Sequence, residues 1–161
     1  MSAAAGVPTP ESAWSWALES AYRTAQLLGL TLCFGTPLVL VVLLVSGAIP
    51  PGRQLPMAAA QQVGYLFTGL VFLAAAWSFW RSGRILAAFS TLDPGRRPGV
   101  LLRETLTYAA LAELSSLLGL FYWLLAGQVV GRHAWGFLLL TPLLFLGVVP
   151  RRTRWKQTLE G

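Results

Sequence analysis

Residues 26–49 read QLLGLTLCFGTPLVLVVLLVSGAI, and no charged side chain occurs between Arg23 and Arg53. As a helix this stretch is about 36 Å long, enough to cross a hydrocarbon core of about 30 Å. It ends at Pro50-Pro51-Gly52, a helix stop. Within it Pro37 removes one backbone donor and crowds the preceding turn, which predicts a kink. Upstream, Thr9 is placed to cap a helix starting at Pro10 with Glu11 in its first turn, and Trp14, Leu18 and Tyr22 follow at four-residue spacing. Residues 10–22 are therefore expected to form a short amphipathic helix on the inner leaflet; the alternative is that the first span simply begins early.

Three further apolar runs follow. The second span is expected at 57–80, starting just after Pro56 and extending to about 90, where Asp93-Pro94-Gly95 stops it. A loop of glycine, arginine and proline leads to the third span at 102–126. The fourth, at 133–149, contains Pro142 and ends at Pro150, leaving 150–161 as a basic cytoplasmic tail. Residues 1–161 thus read as one all-α domain, a polytopic membrane protein of four transmembrane helices.

Composition agrees. Of 161 residues 55% are hydrophobic and 11% charged, against about a quarter charged in soluble domains. The net charge of +6 does not imply nucleic acid, because the basic residues stand at the ends of the apolar runs. Of the twelve, all but Arg53 and Arg132 fall in the N-terminal flank, the segment between spans two and three, or the tail. That alternation places both termini and the middle loop in the cytoplasm, as in a multi-pass protein of a bacterial inner membrane. The single cysteine, Cys33, and single histidine, His133, provide no metal-ligand pair, no haem ligation and no nucleophilic triad. The expectation is a protein without enzymatic activity, metal or cofactor.

The residue that resists this bland reading is Glu113. An ionised carboxylate deep in a bilayer costs several kcal/mol unless it is paired, protonated or wetted. On a helical net Ala109, Ala112, Glu113, Ser116 and Gly119 share a face of small residues suited to close helix contact. Two roles follow. Either Glu113 is satisfied across a helix contact through which the protein associates, as a homo-oligomer or as an accessory subunit of a larger membrane complex, or it binds and releases a proton or cation. Arg81, Arg84, Arg96 and Arg97 form a cytoplasmic basic patch that could bind anionic lipid, although orientation alone would also explain it. The partners expected are the lipid bilayer and other membrane subunits or a second copy.

Spans two and three, with Gly95-Arg96-Arg97-Pro98 between them, resemble the helical hairpin of the c subunits of rotary ATP synthases, the membrane proteolipids. The resemblance rests on the basic loop, residues 105–113 and Leu117-Leu118-Gly119-Leu120. It implies a cytoplasmic loop followed by a helix whose ion-binding carboxylate is Glu113. Over its whole length the chain is similar to small four-span bacterial membrane proteins with an Ala-Glu pair and a Gly-Leu pair in span three, here Ala112-Glu113 and Gly119-Leu120, and a Pro-Arg ending, here Pro150-Arg151. That likeness implies the topology and no activity.

Overall fold

A computed structural model describes residues 10–52 and 55–160. Backbone polar groups in an apolar chain have to be satisfied locally, and the helix does so residue by residue. All the regular elements among the described residues are helical: α1 Pro10–Val45, α2 Met57–Phe89, α3 Arg97–Ala126, α4 Gly131–Val148 and α5 Arg152–Glu160, with 3-10 turns at Pro94–Arg96 and Gly127–Val130. Three continuous runs, Trp16–Val45, Met57–Phe89 and Pro94–Trp155, are long and apolar enough to cross a membrane. Their most apolar windows have mean hydropathies of 2.5, 1.6 and 1.7, and the third run holds both α3 and α4.

Several boundaries differ from the expectation. Residues 10–22 are not a separate helix but the first turns of α1, which continues through Pro37 to Val45. Thr9 and Arg53, and the side chains of Glu11 and Trp14, lie outside the described residues. Helix α3 starts at Arg97, five residues before the expected span, because Pro98 occupies its first turn, where the missing N–H would be unpaired in any case. The break between α3 and α4 is Gly127 at φ 65° and ψ −151°, a conformation essentially restricted to glycine. The tail forms α5, which the apolar pattern did not reveal.

Helix α3 is the hub. It packs against α1, α2 and α4, while the consecutive α1 and α2 scarcely touch. The start of α1, the end of α2, the start of α3 and α5 meet at one end of the bundle, around Ala25, Phe89, Leu101 and Trp155. There the Phe89 and Trp155 rings meet edge to face at 4.6 Å, the Arg152 N–H donates to the Tyr22 hydroxyl at 3.1 Å, and Arg152 pairs with Glu19. At the opposite end the Gly52 N–H reaches the Trp123 carbonyl at 3.4 Å, and the Tyr122 hydroxyl donates to the Ala60 carbonyl at 2.8 Å.

The small-residue face of α3 is filled by the same chain. Ala109, Ala112, Ser116 and Gly119 are all buried. Gly119 sits so close to α4 that an added Cβ would lie 2.9 Å from the Phe137 Cβ and 3.0 Å from the Ala134 carbonyl oxygen. Gly119→Ala is therefore expected to destabilise the bundle by about 1–3 kcal/mol through forced separation of α3 and α4. Gly69→Ala, where nothing lies within 4 Å of the added atom, is expected to be neutral or stabilising by up to about 1 kcal/mol. Thermal unfolding of the two variants in detergent checks the contrast.

Candidate functional site

The polar side chains of α3 divide between two sides of the helix. Towards α4, the Ser115 hydroxyl donates to the Phe137 carbonyl at 2.7 Å, and Ser116 and Thr141 share a hydrogen bond of 2.7 Å. Towards α2, Glu104 is fully buried and takes a bidentate pair from Arg81, Nε to Oε2 at 2.7 Å and Nη2 to Oε1 at 2.8 Å. Arg103 adds a longer contact of 3.4 Å. The Arg81 guanidinium also stands 5.1 Å from the centroid of the Trp77 ring, a cation–π arrangement.

This ion pair is not part of the sequence expectation, in which Arg81 belongs to a basic patch explained by lipid or by orientation alone and Glu104 has no role. A signal was present: Arg81 and Glu104 are equally distant in sequence from the turn at Leu92-Asp93, and residues so related face each other in an antiparallel helix pair. The four arginines expected to bind anionic lipid are not equivalent. Arg81 is committed to Glu104, and Arg97 donates to the Leu92 and Ser90 carbonyls at 3.0 and 2.9 Å, tying down the turn. Arg84, stacked 5.0 Å from the Trp80 ring centroid, and Arg96 remain exposed.

Glu113 is different from Glu104 in every respect that matters. It is 8% exposed, and neither carboxyl oxygen has a hydrogen-bond partner. One turn earlier on the same face, the Ala109 carbonyl accepts from the Cys33 thiol at 3.6 Å, within a cluster of Cys33, Ala109, Ala112 and Phe145. Helices α1 and α3 run in the same direction, so the register that sets Cys33 beside Ala109 brings Pro37 level with Glu113. Proline has no N–H, and the Cys33 carbonyl is thereby left without the donor four residues on that would normally occupy it. A buried carboxyl without partners thus lies level with the proline turn of α1.

Compared with protein-family profiles, with curated proteins and with solved structures, the chain finds no significant match. The reading of the site therefore rests on its chemistry.

The Arg81–Glu104 pair gives a direct test of that geometry. Arg81→Ala leaves a buried carboxylate with only the longer Arg103 contact and is expected to lower stability by about 3 kcal/mol, the lower end for a broken buried pair, since Arg81 keeps 31% of its side chain exposed. Adding Glu104→Gln to that variant should restore much of the loss. A double-mutant cycle on detergent unfolding curves measures the coupling.

Proposed function

We propose that the protein is a non-enzymatic integral membrane protein of four spans, with both termini in the cytoplasm of a bacterium, in which Glu113 takes up and releases a proton within the inner membrane. The observation that carries this reading is a carboxyl buried in the bundle with both oxygens unpartnered. Such a group is tolerated as a neutral acid far better than as an anion. Four crossings are supported by the meeting of the early part of α1 and of α5 with the α2–α3 turn at one end of the bundle. The basic residues outside Arg53 and Arg132 supply the orientation.

In the resting state Glu113 is the neutral acid, held in apolar surroundings without a hydrogen-bond partner. Losing that proton leaves two bare oxygens in the same apolar surroundings, so release requires water or a cation to reach α1 and α3. A proton is favoured over a metal cation because, among the described residues, Glu113 belongs to no group of three His, Cys, Asp or Glu.

The purely structural role, in which Glu113 is satisfied across an association interface, has less support. The carboxyl lacks the expected partner, and the small-residue face is occupied by α1 and α4. Association with a second copy or a larger complex accordingly moves to α2, whose exposed flank carries Leu66, Phe72, Leu73 and Phe79. A rotor ring like that of the proteolipids is disfavoured, since Tyr65, Phe67 and Phe72 stand where those helices carry closely spaced glycines.

An apolar carbodiimide reacts with protonated membrane carboxyls. In the reconstituted protein it should modify Glu113, with labelling that falls as pH rises. Glu113→Gln should abolish both the labelling and any dissipation of a pH gradient across the vesicle membrane, while leaving the unfolding midpoint close to that of the parent. A Gln variant that conducts as well as the parent would refute proton transfer through this residue.

A further inference from the structure

A cavity of about 180 Å³ opens between α2 and α4 at the end of the bundle opposite α5. Gln61, Tyr65 and Thr68 of α2 form one wall, His133 and Phe137 of α4 the other, and Tyr122 of α3 the floor. Its existence depends on Gly64. A Cβ there would lie 2.7 Å from the Tyr122 hydroxyl oxygen, so the glycine lets the tyrosine sit flat beneath the cleft and donate to the Ala60 carbonyl.

Three properties restrict what such a cleft can hold. The first is polarity at depth: Gln61 and Thr68 are exposed on a helix whose surroundings are lipid, and Thr68 lies about 16 Å along α2 from Met57. Hydrogen-bonding side chains facing the membrane are uncommon and mark sites rather than scaffolding. The second is charge. No Asp, Glu, Lys or Arg lines the cleft, which selects a neutral head over a phosphodiester. The third is size and shape. A cavity of about 150 Å³ holds one benzene ring, so this one admits a single substituted ring beside Tyr122 and Phe137, whose own rings meet edge to face at 6.2 Å. His133 meets the Tyr122 ring edge to face at 6.4 Å, which sets its imidazole at the mouth.

Gln61 and Thr68 are two helical turns apart, about 10 Å along the axis. Donors hydrogen-bonded to the two oxygens of a para-dicarbonyl ring stand about 11 Å apart when both bonds have ordinary length. We infer that this cleft binds the head of an isoprenoid quinone, with Gln61, Thr68 and His133 offering donors to its carbonyl oxygens and its tail running in the lipid beside the exposed Phe72. This binding is independent of proton exchange at Glu113, which lies on another face of α3.

The test uses the full-length protein purified in detergent and freed of native quinone. A benzoquinone bearing one isoprenoid unit and a photoactivatable group should bind saturably and crosslink within residues 57–68 or 129–137. Thr68→Val and His133→Phe, both surface changes that leave the core intact, should each weaken binding about three- to tenfold, as expected for one lost hydrogen bond. Diacylglycerol, a neutral lipid without a ring, and phosphatidylglycerol should fail to compete. Crosslinks scattered over the whole exposed flank of α2, equal competition by diacylglycerol, or unchanged affinity in both folded variants would overturn the assignment. Because Glu113→Gln should bind the quinone as the parent does, failure here is distinguishable from failure of the proton-binding reading.

Discussion

Lipid offers no hydrogen bonds, so each polar group that α3 carries into the bundle has to find its partner within the chain. Because formed helices gain little hydrophobic advantage from one another in a bilayer, close packing and these interhelical bonds hold the bundle. Ser115, Ser116, Tyr122 and Glu104 each reach a neighbouring helix. Together they pin α4 and α2 to α3 in a single register. The close approach at Gly119 then allows dispersion contacts along the whole α3–α4 seam. Among the described residues of α3, Tyr108, Glu113 and Trp123 keep buried polar atoms without a partner, and Glu113 is the only carboxyl among them.

The sequence makes the helices legible because charge-free length and proline-glycine punctuation are local properties. Membrane helices are apolar on every side, however, so hydrophobic periodicity cannot say which face meets a neighbour. The narrow buried stripe of α2, Ala60, Val71, Ser78, Ser82 and Phe89, does not stand out from its lipid-facing residues for that reason. Small and polar residues remain informative. Ala109, Ala112, Ser116 and Gly119 are buried, but the sequence does not say whether the covering helix belongs to the same chain.

The same distinction explains the carboxylates. Glu104 lies near the end of an apolar run with arginines close by and so reads as ordinary headgroup-level charge, whereas its complete burial depends on α2 lying alongside. Glu113 is conspicuous in sequence because nothing near it is charged. Its lack of partners is a tertiary fact. The tail is a further case: Trp155 interrupts a run of basic residues, and only the docking of its ring on Phe89 converts α5 from a charged end into part of the fold.

The central claim, a neutral carboxylic acid at the hub that exchanges its proton, is tested most directly by infrared spectroscopy of the protein in lipid bilayers with isotope-labelled glutamate. The account predicts a protonated-carboxyl stretch near neutral pH, at the high frequency of a carboxyl without hydrogen bonds, that disappears in Glu113→Gln. A spectrum showing only ionised carboxylates at that pH, identical in parent and Glu113→Gln outside the amide bands, would contradict it.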